Sequence, residues 1–367
     1  MTDFAAFRAL FPALQHKVWL NAATLPPAAR PVLEALRRVE GEWEQGEGSW
    51  QAWEEEADAT REQFARLIGG QATGVALLPT VAEAAATVAA SLPPGRVVVG
   101  EREFQSNLFP WLALRDRGFQ VVEVPATDGV VSTEALVEAI TEGTVLVTVS
   151  EVQSSNGYRV RIADVAERAR AVEARLFVNG TQALGVLRFD QEAIRADYVA
   201  CHGYKWLLAP RGTSWLHVRE DRIDELAPLA PNWKSVERPY EEYYGGPLRM
   251  PQEARKLDIS LAWFPWVGAR AALGLILSLD PAAVEARCLA LAAELREGLR
   301  GRGFRTVPQE EPTHIVALEV PDPVALRRGL LERRVVGAVR GGFVRLGFHA
   351  FNDETDVAAA LDALGRG

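Results

Sequence analysis

Short apolar runs alternate with helix-like stretches between residues 55 and 220 of the chain. In one such stretch, Ile162, Val165 and Ala169 recur at the spacing of an amphipathic helix, directly before an apolar run. Continuous apolar runs joined by helices indicate a mostly parallel sheet that is covered on both faces. The runs predicted as strands are Val75–Leu78, Val97–Val99, Gln120–Val124, Thr144–Val149, Leu176–Val178, Tyr198–Cys201 and Ser214–Val218.

The pattern changes in the following segment. Prolines and glycines interrupt residues 221–258, and charged residues there are interleaved with Trp and Tyr, so no long element is predicted. A segment this long and irregular is often functional or interfacial. Beyond it we predict a long helix over Ala262–Leu279 and strands over His314–Val320, Val335–Val339 and Phe343–Phe348.

These patterns predict an α/β protein with two domains. A chain of 367 residues exceeds the size at which one hydrophobic core usually stops growing. We expect a large domain with about seven strands in a mostly parallel sheet, and a smaller α/β C-terminal domain. The expected boundaries are an N-terminal arm over 1–45 that joins the small domain, the large domain over 46–258 and the small domain over 259–367.

Composition narrows the class of protein. Hydrophobic residues make up 48% of the chain and charged residues 24%, as in ordinary soluble globular proteins. The net charge of −9 and the pI near 5.3 argue against a nucleic-acid-binding surface. The N-terminus lacks a basic region followed by an apolar core, and Pro265 and Arg270 interrupt the longest apolar stretch, so we expect neither signal peptide nor membrane span. Cys201 and Cys288 form no disulfide framework, which is typical of the reducing cytoplasm.

Several motifs of common enzyme classes are absent from the sequence. There is no Gly-x-Gly-x-x-Gly after a strand, no P-loop, no His-Glu-x-x-His and no Cys-x-x-Cys. The five histidines are scattered along the chain, so we expect no metal site. The sequence therefore gives little support to a function as a dehydrogenase, an NTPase or a zinc hydrolase.

One lysine has an unusual setting. The chain has only four lysines among its 40 Lys and Arg residues, and Lys205 lies between Tyr204 and Trp206 after a predicted strand. Arginine cannot lose its proton in a protein, whereas a lysine desolvated by aromatic rings can. This setting favours Schiff-base chemistry at the amine. A lysine that extends along apolar surface at a strand end explains the same residues equally well.

Segments at both ends of the chain and around Lys205 resemble one known family. Residues Val18–Ala23 are similar to its N-terminal Tyr-Leu-Asp/Asn-x-Ala element, and Val344–Asn352 to its Val-Arg-x-Ser-x-x-x-Tyr-Asn segment. The family is the class V aminotransferases, fold-type-I pyridoxal 5'-phosphate enzymes that include cysteine desulfurases, selenocysteine lyases, kynureninase and isopenicillin-epimerase-like proteins. The resemblance covers nearly the whole chain and implies this family's fold.

The resemblance implies how the cofactor is bound. Lys205 would bond to it covalently, and the helix start at Val81 and Ala82 would bind its phosphate through backbone N–H groups. His202 and Tyr204 stand where family members donate to the phosphate. An ordinary helix start and a structural core histidine are the alternative interpretations of these positions.

The resemblance also assigns residues around the cofactor ring and the substrate. Phe104 would stack on the ring, and Gln182 and Ser154 would lie near its phenolic oxygen. Arg345 would bind the substrate carboxylate as a two-pronged fork, and Asn21 would contribute to the same subsite. A surface salt bridge is the alternative for Arg345.

Asn179 departs from the family, which places Asp at this position. The aspartate charge keeps the pyridine nitrogen protonated and makes the ring an effective electron sink, whereas a neutral amide supplies no charge. Three explanations compete: a reaction with low demand for an electron sink, a slow or vestigial enzyme, and a tuning or inactivating substitution. We favour the first.

A second departure concerns the thiol that cysteine desulfurases carry on a mobile loop. No cysteine lies between His314 and His349, Cys288 falls within a predicted helix, and Cys201 lies near Lys205 at a strand end. Persulfide-forming desulfuration is therefore not expected, whereas a lyase reaction that needs no enzyme thiol stays open.

The resemblance implies a cytoplasmic, homodimeric enzyme that acts at the α-amino group of an amino acid as its small-molecule substrate, by aminotransferase-type or β-lyase chemistry. An epimerase, a kynureninase-like hydrolase and a non-catalytic binding or scaffold protein are the alternatives. Residues 231–266 form either a partner surface or a loop that reaches the neighbouring subunit's site. We favour the loop, and a scaffold would be expected to lose Lys205 or Arg345 first.

Overall fold

The computed structural model describes residues 2–241 and 243–365 of the chain. Its strands form one large sheet and two small ones. All seven apolar runs predicted in the first part of the sequence are strands of the large sheet. The strands are β1 Val18–Trp19, β2 Val75–Leu78, β3 Arg96–Gly100, β4 Gln120–Val124, β5 Thr144–Ser150, β6 Arg175–Asn179, β7 Tyr198–His202, β8 Ser214–Val218, β9 Arg305–Thr306, β10 Ile315–Glu319, β11 Val335–Val336, β12 Ala338–Arg340 and β13 Phe343–Gly347.

Helices connect most of the strands, and many begin at a side chain that caps the first turn. Thr80 caps α4 in this way, because its hydroxyl oxygen accepts the Glu83 N–H at 3.1 Å. The helices are α1 Phe4–Ala9, α2 Arg30–Gln45, α3 Trp50–Ile68, α4 Val81–Ser91, α5 Gln105–Leu112, α6 Thr133–Ala139, α7 Ile162–Ala171, α8 Gln191–Ile194, α9 Trp263–Leu277, α10 Pro281–Gly301, α11 Pro323–Glu332 and α12 Glu354–Leu364.

The large sheet has the strand order β2-β8-β7-β6-β5-β3-β4, and only β8 runs antiparallel to its neighbours. The predicted α/β fold with a mostly parallel seven-stranded sheet is therefore confirmed. Because β5, β6 and β7 are parallel and in register, their carboxyl ends meet at one edge of the sheet. Ligands of open α/β sheets bind at such an edge.

Both faces of the large sheet are covered, which explains why its strands are continuously apolar. Along β3, Val98 packs into one hydrophobic cluster, whereas Val97 and Val99 pack into another cluster on the opposite face. All three valines are fully buried. The alternation of side chains along a strand therefore serves two cores at once.

The small sheets hold the C-terminal part of the chain. Strands β12, β13, β10 and β9 form an antiparallel sheet, whereas β1 pairs in parallel with β11. The prediction of one strand over Val335–Val339 is wrong, because the chain breaks at Gly337 and its halves join different sheets. A Cβ atom at Gly337 would lie 2.5 Å from Leu346 Cδ2, so any larger residue there would force the buried Leu346 side chain to move.

Within residues 2–241 and 243–365, no single helix is long and apolar enough to cross a membrane. The pair α9 and α10 meets that criterion only when its two helices are counted together, and it is bent by 84°.

A buried ion pair closes the open edge of the large sheet at β2. The Asp258 carboxylate accepts the Leu77 N–H at 2.9 Å, and the Arg61 guanidinium donates to the Val75 carbonyl at 2.8 Å. Arg61 and Asp258 also pair with each other through both guanidinium nitrogens. Burial raises the pKa of Asp258, and the Arg61 charge opposes that shift. The pair fixes β2 and, through it, the turn that begins α4.

Replacing Asp258 tests this role. Asp258→Ala leaves the Leu77 N–H without its acceptor and leaves Arg61 with the more exposed Asp58 as its one carboxylate partner, so we expect a loss of about 2 to 4 kcal/mol in unfolding free energy. The measurement is the urea midpoint by circular dichroism. Glu253→Ala removes a more exposed ion pair with Arg255 and should cost at most about 1 kcal/mol. A midpoint for Asp258→Ala equal to that of the control variant would contradict the assignment.

Candidate active site

The predicted site residues converge at the carboxyl edge of the large sheet. Asn179 ends β6, and His202 ends β7 and is followed by the turn that carries Lys205. The start of α4, the start of α5 and strand β13 supply the remaining side chains. The site therefore draws on both the large sheet and the C-terminal sheet.

Lys205 is a buried amine with no counter-charge. Its side chain is 6% exposed, and no acceptor or carboxylate binds Nζ in the described part of the chain. Nζ lies 5.2 Å from the Phe104 ring centroid and 5.6 Å from that of Tyr204. Burial, and then the Arg345 charge, lowers the pKa of Lys205 to about 7. The amine is thus partly unprotonated at neutral pH, unlike a lysine that extends to solvent.

Trp206 has a different place from the one expected beside the Lys205 amine. Its indole Nε1 donates to the Gln182 side-chain oxygen at 2.8 Å, and its ring contacts that of His314 edge-on at 4.3 Å. The second ring near the amine is Phe104, which comes from the start of α5. The residues around Lys205 gave no sign of this ring, and only the family resemblance placed Phe104 at the cofactor.

The start of α4 lies against His202. The Val81 N–H donates to His202 Nε2 at 3.3 Å, and burial lowers the pKa of His202 to about 3, with the Lys205 charge adding to that shift. The imidazole is therefore neutral and its Nε2 is an acceptor. The Thr80 hydroxyl is occupied by Glu83, whereas the Ala82 N–H has no acceptor among residues 2–241 and 243–365. Backbone N–H groups are the donors that this turn offers to an anion.

Asn179 belongs to a hydrogen-bonded chain that ends on a carboxylate. Its Nδ2 donates to the Ser150 hydroxyl oxygen at 3.1 Å, and that hydroxyl donates to Glu103 at 2.6 Å. Glu103 also accepts the backbone N–H groups of Phe104 and Ser150. Because the carboxylate only accepts, Ser150 must donate to it, so Ser150 can only accept from Asn179.

This chain fixes the orientation of the Asn179 amide. Its Oδ1 accepts the Thr181 N–H at 3.1 Å, and its Nδ2 faces Ser150. If the amide were reversed, its oxygen would face the Ser150 oxygen and its NH2 group would face the Thr181 N–H, so neither contact could be a hydrogen bond. One Nδ2 hydrogen remains available to a further acceptor, so Asn179 presents a neutral donor.

Gln182 and Ser154 lie together, but their hydrogen-bonding capacity differs. Gln182 Nε2 donates to the Ala23 carbonyl at 3.1 Å and to the Ser154 hydroxyl oxygen at 3.0 Å. Its side-chain oxygen accepts from Trp206, so the amide is fully occupied. Ser154 accepts in these contacts, and its hydroxyl hydrogen stays free to donate.

Arg345 is buried without a carboxylate, which rules out a surface salt bridge. It is 1% exposed, donates to the Ser154 carbonyl, and donates to the Thr24 hydroxyl at 2.9 Å. Burial, and then the Arg340 charge, lowers the pKa of Arg345 to about 9. Asn21 pairs with Gly347 beside it, and the Asn21 Oδ1 atom has no partner among the described residues. A buried guanidinium without an acid demands an anionic ligand.

Sequence reasoning missed Glu103, Ser150, Thr24 and Arg340. Glu103 directly precedes Phe104, and Ser150 is the last residue of β5, next to Asn179 in the sheet. Parallel pairing of predicted strand ends could have placed Ser150 beside Asn179. Thr24 and Arg340 gave no sequence signal, because they reach the site only through tertiary packing.

Comparisons with known proteins agree with this architecture. The family model described as Aminotransferase class-V matches residues 44–359. The uncharacterized aminotransferase YcbU of Bacillus subtilis (strain 168) is 27% identical over 98% of this chain and 96% of its own length. The isopenicillin N epimerase of Streptomyces clavuligerus is 32% identical over 83% of each chain. A solved cysteine desulfurase of Thermococcus onnurineus NA1 superposes with a TM-score of 0.87 at 18% identity, covering 99% of this chain and 98% of the other.

The hydrogen-bonded chain makes a testable prediction for position 179. Asn179→Asp sets two carboxylates on the single Ser150 hydroxyl hydrogen, so we expect a loss of about 1 to 3 kcal/mol in unfolding free energy at pH 8. Repulsion raises the folded-state pKa of the pair, so the loss appears as the pH rises and shrinks near pH 5. Urea midpoints at the two pH values measure it.

The control for this prediction is a second substitution at Glu103, the carboxylate at which the row of hydrogen bonds from Asn179 ends. Glu103→Gln combined with Asn179→Asp removes one of the two charges, so most of the stability at pH 8 should return. If Asn179→Asp alone matches the wild type at pH 8, Glu103 does not hold the Ser150 hydrogen.

Proposed function

The chain belongs to the aminotransferase class-V family of pyridoxal-phosphate enzymes, and we propose that it acts at the α-amino group of an amino acid. One observation carries this proposal: the buried Lys205 amine and the buried Arg345 guanidinium both lack an acidic partner among the described residues. An amine able to lose its proton beside an unpaired fork suits a substrate with an amino group and a carboxylate.

The donor set fits pyridoxal 5'-phosphate. Lys205 offers the amine for a covalent bond to the cofactor, and the free Ala82 N–H at the start of α4 suits a phosphate. The Val81 N–H would join it by exchanging its bond to His202 Nε2 for one to the phosphate. The free hydroxyl hydrogen of Ser154 suits the phenolic oxygen, because Gln182 is already fully bonded. Gln182 would therefore position Ser154 and Trp206 rather than bind the cofactor directly.

Three further residues would complete the cofactor site. The Phe104 ring, within 5.2 Å of the Lys205 amine, would cover one face of the cofactor ring. His202, with its unpartnered Nδ1, and Tyr204, whose ring contacts it edge-on at 5.0 Å, would flank the phosphate. Asn179 would meet the pyridine nitrogen through its remaining Nδ2 hydrogen.

When bound, the cofactor supplies an electron sink for the carbon that bears the amino group. The protein side chains do the remaining work. Lys205, with a pKa near 7, would take and return a proton at its Nζ atom. Arg345, with Asn21 beside it, would hold the substrate carboxylate and so orient the bond to be broken. Phe104 would exclude water from one side.

The neutral Asn179 supports a reaction that makes a low demand on the electron sink. An aspartate would supply a full negative charge, whereas the amide supplies one hydrogen whose orientation is fixed by Thr181 and Ser150. We therefore favour a reaction with low sink demand over an inactivated site, because the amide is held by a complete set of partners.

The positions of the thiols support chemistry that needs no enzyme cysteine. Cys201 and Cys288 are fully buried, and burial raises the pKa of both. The hairpin of β12 and β13 is closed by Gly341 and Gly342 alone, which leaves no loop there to carry a nucleophile. We therefore propose aminotransferase-type or β-lyase chemistry rather than persulfide formation.

We also propose the domain division 1–45, 46–258 and 259–367, and a cytoplasmic location. The pairing of β1 with β11 and of Asn21 with Gly347 supports an arm that joins the small domain. Two free, buried cysteines support a reducing compartment.

A homodimer is the proposed assembly, formed through segment 231–266, of which residue 242 lies outside the described residues. Its aromatic rings cluster on α3, where the ring centroid of Trp50 lies 5.7 Å from that of Trp233 and 6.1 Å from that of Tyr243. Tyr244, in the same segment, is 88% exposed. Exposed apolar patches of this kind mark interfaces.

Sedimentation velocity tests the assembly. We expect a dimer for the wild type and a shift towards monomer for Tyr244→Asp, because a charge would enter the buried interface. Val324→Asp changes a residue that is exposed on the remote helix α11 and should leave the dimer intact. A wild-type monomer at micromolar concentration would contradict the assembly.

The cofactor anchor has a direct test. The protein mixed with pyridoxal 5'-phosphate should gain an absorption band in the near-ultraviolet or visible range, and borohydride should fix the cofactor on Lys205, as mapped by peptide mass spectrometry. Because the amine is protonated below its pKa of about 7, the initial rate of bond formation should fall as the pH drops below that value.

Two variants separate this anchor from surface labelling. Lys205→Ala should lose both the band and the trapped cofactor, whereas Lys17→Ala, which removes an exposed lysine, should keep both. A reducible cofactor adduct that persists in Lys205→Ala would show that the anchor is wrong.

A further inference from the structure

Three guanidinium groups at the mouth of the site lack acidic partners. The chain has 49 Asp and Glu against 40 Lys and Arg. Some exposed arginines elsewhere, such as Arg38 and Arg238, pair with carboxylates, whereas many others form no ion pair within the described residues. Arg102, Arg340 and Arg345 form no ion pair within the described ranges. Their grouping sets these three apart, because Arg340 and Arg345 share the Thr24 hydroxyl and Arg102 donates to the Gly341 carbonyl next to Arg340.

The hairpin of β12 and β13 places two of these cations side by side. Ala338 pairs with Arg345, and Arg340 pairs with Phe343, so Arg340 and Arg345 are diagonal neighbours on one face of the hairpin. Both guanidiniums donate to the Thr24 hydroxyl oxygen, Arg345 at 2.9 Å and Arg340 at 3.4 Å. Their charges therefore converge on one point.

The turn that carries Arg340 is held in place. Gly341 has a φ of +57°, and a side chain there would lie 2.9 Å from the Ser155 Cβ atom, so the turn packs closely on the large domain. Arg102, which precedes Glu103 and Phe104, donates to the Gly341 carbonyl at 3.5 Å across the opening. Arg340 is thus positioned at the rim by backbone geometry, although its side chain is exposed.

Two like charges held this close repel each other unless an anion lies between them. The Arg340 charge adds to burial in lowering the pKa of both Lys205 and Arg345. A ligand with a single carboxylate on Arg345 would leave the Arg340 charge unbalanced.

We propose that the substrate is an amino acid with a second acidic group on a short side chain, whose α-carboxylate binds Arg345 and whose second acid binds Arg340, with Arg102 at the rim. The inference rests on the proposed function, because it takes Arg345 as the α-carboxylate site. The side chain is short because both guanidiniums converge on the Thr24 oxygen. Arg340 is then the residue that sets specificity for the acid.

Matched acid and amide ligands test the proposal. With the cofactor bound, aspartate and glutamate should shift its spectrum with dissociation constants about tenfold or more below those of asparagine and glutamine. Arg340→Gln should weaken binding of the acids to the level of the amides and leave the amides unchanged. Arg328→Gln, which removes an exposed arginine on α11, should behave as the wild type.

A second readout does not depend on the cofactor. Calorimetry of the cofactor-free protein should show succinate binding more tightly than its monoamide, succinamate, and Arg340→Gln should abolish that difference. Equal binding of acid and amide by the wild type, or an equal loss of both in Arg340→Gln, would overturn the proposal. If succinate binding depends on Arg340 but no amino acid shifts the cofactor spectrum, the proposed function fails and the paired-cation site stands.

Discussion

The structure depends on keeping two buried cations, Lys205 and Arg345, close together, and no acidic side chain of residues 2–241 and 243–365 neutralises either. Such an arrangement is costly, because each charge is removed from water and repels the other. The cost appears as lowered pKa values, about 7 for the amine and about 9 for the guanidinium. The two cations stay in place only because packing elsewhere fixes both side chains. Since an anion would stabilise them, this edge of the sheet is suited to bind one.

Two carboxylates of the supporting structure do not contact these cations directly, because each is bonded to other side chains of the fold. Glu103 lies behind Ser150 and reaches Asn179 by two hydrogen bonds, and the carboxylate of Asp258 is occupied by Arg61 at the far edge of β2. The ion pair there fixes the strand that leads into Val81. The fold thus separates the carboxylates that stabilise it from the cations that bind ligand.

The sequence predicted the elements that depend on neighbouring residues, and it missed features that depend on contacts between distant parts of the chain. The strand Val75–Leu78 and the helix start at Val81 were predicted correctly, because apolar runs and a capping Thr80 are local signals. The strand Val335–Val339 was wrong, because its break at Gly337 arises from the approach of Leu346. The expectation that Trp206 lies beside the amine was wrong, and Phe104, which only the family resemblance placed at the cofactor, lies there instead. The hydrogen bonds that run from Asn179 through Ser150 to Glu103 exist only once β5 and β6 are paired.

The hydrogen bonds from Asn179 through Ser150 to Glu103 also bear on why a neutral residue stands at position 179. Glu103 accepts two N–H groups and the Ser150 hydroxyl, the pattern of an ionised carboxylate, although burial raises its pKa. Its charge polarises Ser150 and then the amide. Because Glu103 reaches the site only through Ser150 and Asn179, its charge acts there from farther away, and so more weakly, than the charge of an aspartate at position 179 would. The negative charge is therefore displaced from the site rather than removed, which weakens the electron sink by degrees and favours a tuned enzyme over an inactivated one.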